Sequence, residues 1–320
     1  MPVRASNNPE PSANGPRSDG RRRQAKAKVE VVQVPSLSAI PWLLHGFSTR
    51  LGGRSTAYSG SRRAGELNLG FTESDERANV VANRERFLNV VTGKSHFPIV
   101  TLRQIHSSII RRVTLAETGT ASSQIADGMM TDESGILLAI QTADCIPVLV
   151  GDRRRRAVAA FHAGWRGTLK RIVEQGVGQM RLEFGSKPED LVAAIGPGIG
   201  QCCYRVGEEV RDEFESQFSY AAELFREVCD SDPVKEKYPL LFLTARAPGH
   251  GKHDPGLHLD LVEANRRQLL AAGLRARAIS IVGECTNCRA DRYFSYRAER
   301  GRTGRMLSAI GIKPGSLPDM

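Results

Sequence analysis

The chain has 320 residues, a formal charge of +10 and a 40% share of apolar residues. That is enough apolar material for one large core or two small ones. No apolar run approaches the roughly 18–20 residues needed to span a bilayer, which argues against a membrane protein. The N-terminus has no apolar h-region of a secretory signal. Six cysteines do not make a disulfide framework in a chain this long, so a reducing cytoplasmic setting is expected.

Residues 1–28 hold seven Lys/Arg and two acids, half of the formal charge. Rich in Pro, Ser, Asn, Gly and Arg, they read as a disordered basic tail. No aromatic or recognition motif accompanies the charge, so a solvated extension is favoured over a nucleic-acid arm. A single domain is expected over 29–312, with a short C-terminal tail at 313–320. The mild basic excess left in the body suits a small anionic substrate.

In chain order, 29–34 and 42–49 have strand composition, and Arg50-Leu51-Gly52-Gly53 reads as a loop where backbone approaches a ligand. His45, inside an apolar run, reads as a satisfied core histidine. Asn68, between Leu67 and Leu69, is either a site-facing amide or a turn cap. A helix is expected over 75–91, with Asp75 as N-cap and Gly93 as stop. Strands at 99–105 and 108–113 break around His106. Residues 126–131 form a turn into a short strand. The apolar strand 135–142 delivers Gln141, Asp144 and Cys145 at its far end.

Two apolar runs, 146–150 and 157–161, are separated by Gly151-Asp152 and four arginines, the pattern of a strand–turn–strand unit. A helix follows over 168–184, then a strand at 191–195 that runs into a Gly-Pro-Gly loop. Helices are expected over 206–218 and from 257 to 272, and a strand over 278–282. Segment 219–256 has no assignable character. There is no internal repeat. The alternation of strands and helices gives a single-domain α/β fold with a mixed sheet.

The chemistry concentrates on that hairpin. Cys145 opens its first strand and His162 closes its second, so antiparallel pairing brings thiol and imidazole to one end. His106 ends another strand-like run. Cys-His-His is a three-ligand zinc set with the fourth position open, the catalytic rather than the structural pattern. Two other readings stand beside it: an activated thiol without metal, and a buried structural cysteine with two polar histidines at strand ends.

The remaining cysteines carry less. Cys285 and Cys288 form a lone C-x-x-C, a weak pointer to structural zinc. Cys202-Cys203 reads as packing beside Tyr204. None of these, nor Cys229, is assigned as a ligand. The run Arg153 to Arg156 reads as a solvated hairpin tip. No Ser/His/Asp elbow, Walker loop or dinucleotide fingerprint is present, which argues against ATP use and hydride transfer.

Six segments then carry a resemblance: H-G-F-S-T-R-L-G-G-R-S (45–55), L-N-L-G (67–70), R-Q-I-H (103–106), A-D-G-M-M-T (126–131), Q-T-A-D-C-I-P-V-L (141–149) and F-H-A-G-W-R-G-T-L (161–169). Later, I-G-P-G-I (195–199), C-C-Y-R-V-G (202–207), H-L-D-L (258–261), C-T (285–286) and S-Y-R (295–297) join them in collinear order. Together they resemble the laccase-domain, or polyphenol oxidase, family of bacterial proteins over about 40–310. The resemblance implies an α/β sandwich related to bacterial toxin deamidases. It also implies zinc-dependent phosphorolysis of adenosine, inosine, guanosine and methylthioadenosine, and deamination of adenosine.

The family's zinc ligands fall on His106, Cys145 and His162. The family has also been linked to peptidoglycan precursor editing and to copper-dependent phenol oxidation. The oxidase reading is hard to support, because a multicopper array needs many histidines and this chain has seven. Beside the metal, Asp144 is the expected proton shuttle. Arg50 and Arg166 are the expected phosphate clamps, because planar guanidinium binds phosphate bidentately. Asn68 and Gln104 are expected to hydrogen-bond base or ribose. The expected partners are purine nucleosides and phosphate.

Overall fold

A computed structural model describes residues 28–59, 65–117, 123–228 and 256–315. Most of the basic tail, part of 219–256 and Cys229 lie outside the described residues.

Two mixed sheets face each other. The first has five strands in the order β1 (Val31–Val32), β2 (Leu43–Ser48), β15 (Met306–Ile312), β7 (Leu137–Thr142) and β4 (Ile99–Val100). The second has six, in the order β14 (Ile279–Ile281), β10 (Leu191–Ile195), β8 (Ile146–Asp152), β9 (Val158–Ala163), β6 (Gly128–Thr131) and β5 (Ile110–Arg112). β11 (Arg205–Val206), β13 (Gly256–Leu259) and β12 (Phe225–Val228) form a small third sheet.

Side chains alternate across each strand, and that alternation builds three apolar layers. Between the sheets pack Phe47, Leu138, Ile140 and Ile310 from one side and Leu149, Ala160, Val192 and Ala194 from the other. The outer face of the first sheet, with Leu137, Ala139, Leu307 and Ala309, packs on Phe87, Leu88 and Val91 of α2 (Arg77–Thr92). The outer face of the second, with Val148, Val150, Ala159 and Phe161, shares a cluster with α4 (Ile172–Phe184), α5 (Glu208–Gln217) and α6 (Leu261–Ala271). The result is helix, sheet, sheet and helices in successive layers. This mixed α/β sandwich is the fold class read from the sequence. Among the described residues no helix is long and apolar enough to cross a membrane.

Several boundaries differ from the sequence reading, each for a local reason. The presumed loop after Arg50 is a strand, β3 (Leu51–Ser55), bridged to Glu66. The helix expected from 257 is β13 first, and α6 starts only where Asp260 caps the Glu263 N–H. The helix expected over 168–184 is broken into α3 (Trp165–Leu169) and α4 by Arg171, whose φ is +58°. Residues 205–206 are strand β11, and Gly207 caps α5. Asp75 caps no helix; it accepts from the Asn68 amide instead. Strand β15, which sits at the centre of the first sheet, and the short α1 (Pro35–Ser38) carried no sequence assignment.

Candidate metal centre

β7 of the first sheet ends at Thr142, and after three intervening residues β8 of the second sheet begins at Ile146. The short link 143–145 thus carries the chain between sheets and leaves Cys145 at their common edge. β9 returns antiparallel, with Pro147 opposite His162, so the hairpin joins thiol and imidazole as its register requires. His106 arrives from the loop between β4 and β5. Its Nε2 lies 3.7 Å from the Cys145 sulfur, and its ring is 4.9 Å from that of His162.

The three donor atoms all lie within 4.8 Å of one another. Zn–S and Zn–N bonds of about 2.3 and 2.0–2.1 Å in a tetrahedron ask for about 3.6 Å between sulfur and nitrogen. Distance and donor chemistry therefore fit one metal ion. Gly164 makes the approach feasible: a Cβ there would meet the His106 ring at 2.9 Å and the Cys145 sulfur at 3.0 Å.

The residue that organises the site was not found in the sequence. Asp127, 1% exposed, accepts from His162 Nδ1 at 2.8 Å. It also accepts from the backbone N–H groups of Ile105, His106 and Ser107 and from the Ser107 hydroxyl. One carboxylate thereby turns the other nitrogen of His162 toward the sulfur and holds the loop that presents His106, whose φ of +61° is costly for a non-glycine residue. A carboxylate behind a ligating imidazole is the usual support of a metal-binding histidine. The only local signal was an acid one residue before a strand, in a run read as a turn.

Electrostatics couple these groups. Burial alone would raise the Asp127 carboxyl, but hydrogen bonds from His162 and Ser107 outweigh it and hold it well below the usual carboxylate range. Burial would lower His162, yet the Cys145 sulfur and Asp127 raise it. Burial would raise the Cys145 thiol, yet the two imidazoles pull it down.

A cavity of about 680 Å³ opens over this cluster, within the range of small-molecule sites. Gln104, Gln141, Trp165, Arg166, Tyr204, Tyr296, Arg297 and Arg305 are among the residues that line it. The indole of Trp165 carries the Arg166 guanidinium at 4.3 Å. Of these, only Arg166 and Gln104 had been given a role. Tyr296 and Arg297 fell in the quoted S-Y-R motif without one, and Arg305 went unmarked, because nothing local ties a loop that folds back from so far along the chain to this cavity.

The other sequence candidates fare differently. Asp144 lines the cavity, but its oxygens accept from the Thr286 hydroxyl at 2.6 Å and the Arg297 N–H at 2.7 Å. That geometry fits an anchor of the wall better than a carrier of protons. Gln104 reaches the rim, where its amide clasps both backbone groups of Gln141.

Arg50 and Asn68 require correction. Arg50 is 2% exposed, lies outside the cavity lining, and pairs with Glu66 at 2.7 Å and Glu299 at 2.9 Å. Those carboxylates and the carbonyls of Ala290 and Tyr293 engage its donors, so no fork is left for phosphate. Asn68 is fully buried, and its amide joins Gly70, Asp75 and Arg305; it is the turn-holding residue of the two alternatives.

Residues 44–313 match the family model for the multi-copper polyphenol oxidoreductase laccase family. The chain is 34% identical over 284 residues to a purine nucleoside phosphorylase YlmD of Geobacillus stearothermophilus, covering 84% of this chain and 94% of that one. It is 32% identical over 218 residues to an adenosine deaminase RL5 from an unknown prokaryotic organism, covering 66% of this chain and 74% of that one. The crystal structure of a Bacillus licheniformis hypothetical protein, YfiH, superposes with a TM-score of 0.72 at 30% identity, over 91% of this chain and 98% of that one. Fold and sequence thus agree, and the chain belongs to the multi-copper polyphenol oxidoreductase laccase family.

Proposed function

We propose that the protein is a zinc-dependent purine nucleoside phosphorylase that also deaminates adenosine, using the cavity over His106, Cys145 and His162. The observation that carries this reading is the Cys-His-His set at the floor of a cavity walled by arginines and aromatic rings. Relatives named for these two activities support it.

A zinc ion held by the three residues supplies a Lewis acid that lowers the pKa of bound water toward ~7. The chain's own residues do the rest. Asp127 holds His162 with Nδ1 protonated, so that Nε2 faces the centre. Trp165, Tyr204 and Tyr296 offer faces on which a purine can stack. Arg166, Arg297 and Arg305 surround the same space with positive charge and suit a phosphate nucleophile better than Arg50 does. In phosphorolysis the C1′–N9 bond breaks as a phosphate oxygen bonds C1′, and the purine leaves with a proton. In deamination water adds at C6 and ammonia leaves.

The decisive experiment is a nucleoside panel with and without phosphate, read separately for free base and for deaminated product. Both products are expected from adenosine, and the free base only when phosphate is present. Cys145→Ala should abolish both and empty this metal centre; retained activity in that variant would refute the assignment. Arg166→Ala should impair phosphorolysis more than deamination.

A second reading has its own support. The lowered thiol and raised imidazole resemble an activated thiol, as in a Cys145–His162 hydrolase acting without metal, with peptidoglycan precursors among its substrates. Activity surviving complete metal removal would favour it. Five free cysteines among the described residues support a reducing, cytoplasmic setting.

A further inference from the structure

Four of the five cysteines left unassigned in the sequence converge. Cys202 and Cys203 follow β10, and Cys285 and Cys288 follow β14, the parallel neighbour of β10. A single bridge, Gly198 to Cys285, extends that pairing past the strand ends. All four sulfurs lie within 4.8 Å of one another. Cys288 stands 3.5 Å from Cys202 and 3.4 Å from Cys203.

We propose that Cys202, Cys203, Cys285 and Cys288 bind a structural zinc ion, separate from the centre at Cys145. A tetrahedral ion with Zn–S bonds of about 2.3 Å places its sulfurs about 3.8 Å apart, close to the spacing seen. Iron–sulfur clusters distribute their cysteines over two or four irons and spread them wider; this set is sized for one ion. Four thiolates with no open position are the closed structural pattern, and soft sulfur selects zinc over hard cations. Binding forms four Zn–S bonds and releases the thiol protons to solvent, with no change of oxidation state.

Backbone donors converge on Cys285. The Gly200 N–H donates to the Cys285 sulfur at 3.2 Å, and the Cys288 backbone donates to the same atom. Backbone donors aimed at a sulfur favour its charged form. A Cβ on Gly200 would sit 3.2 Å from both the Cys202 sulfur and the Cys285 Cβ, so the glycine keeps the cradle open.

The location gives the ion its task. The first cysteine pair lies between Ile199 and Tyr204, both on the wall of the active cavity. The second pair flanks Thr286, whose hydroxyl holds Asp144 and whose N–H bonds Gly198. An ion behind the wall would staple these two loops and so fix this face of the cavity.

The test counts metal on the full chain purified from zinc-supplemented cells. The intact protein is expected to carry two zinc ions per chain and Cys145→Ser one. Cobalt-substituted Cys145→Ser should show the intense thiolate charge-transfer bands of a tetrathiolate site. Cys203→Ser with Cys288→Ser should lose those bands and melt at lower temperature. A metal-free Cys145→Ser protein would overturn the proposal, as would a disulfide within the cluster in protein purified anaerobically. The count on Cys145→Ser stands even where the double variant does not fold. If only the Cys145 centre is misread, intact protein and Cys145→Ser should each retain one ion.

Discussion

Single residues decide whether this site exists. The Asp127 carboxylate contacts His162 and the backbone of three successive residues, all of them 20 to 35 positions away in sequence. Long separation is why reading the chain locally could not find it. Asp127→Asn should keep the shape but lose the charge behind His162. Loss of a carboxylate support typically costs 10–100-fold in metal affinity or activity, and a chelator titration of the variant against the intact protein measures it. His45 is the opposite case, since its apolar neighbours in sequence already announced a core position. It is 2% exposed, its Nε2 accepts from the Val34 N–H at 2.9 Å, and burial lowers its pKa to about 4 from the model-peptide value of 6.5. Above pH 6.5 the imidazole is neutral folded or unfolded and adds no pH dependence. Between 6.5 and about 4 only the unfolded chain gains the proton, so stability falls with pH, by roughly 3 kcal/mol over the window. Urea midpoints for the intact chain and His45→Gln at pH 7 and pH 4.5 should diverge accordingly; parallel declines would dismiss His45 as the cause.

At the scale of elements, the hairpin of β8 and β9 was legible because two apolar runs flanking a polar tip leave one sensible register, and register places Cys145 beside His162. β3 was not legible. Paired glycines after Arg50 imitate a ligand loop, whereas the arginine is in fact a bolt between β3, the Glu66 segment and the loop that ends at Glu299. Its ring contact with Phe294, at 4.5 Å, adds to that fastening. Arg50→Ala should take from Glu66, itself 3% exposed, the buried guanidinium that pairs with it at 2.7 Å. Breaking such a pair costs about 3–5 kcal/mol, visible as a lower urea midpoint. Molecules that remain folded should keep their phosphate KM; a normal midpoint with a raised KM would restore Arg50 to the substrate. The two cysteine pairs went unjoined for the same reason as Asp127. Roughly 85 residues part them, and only the parallel neighbours β10 and β14 bring them together.

For the whole molecule, composition and alternating patterns pointed to an α/β chain with mixed sheets, and collinear motifs pointed to the family. What they left open was how the sheets close, because strand order is set by pairings between distant segments. The first sheet shows the difficulty. Its middle strand, β15, lies between β2 and β7 and pairs with both along nearly its full length, and its residues are almost wholly buried. Ending the chain at Gly304 should therefore leave β2 and β7 as facing edges and abolish cooperative unfolding, as followed by circular dichroism during a urea titration; a sharp transition in that truncated chain would contradict the assigned role. During synthesis the same arrangement sets a schedule. A ribosome adding about 5–20 residues per second delivers β2 long before β15. For that interval the early half must wait with unpaired edges, open to chaperones or to a neighbouring nascent chain, until its keystone leaves the exit tunnel.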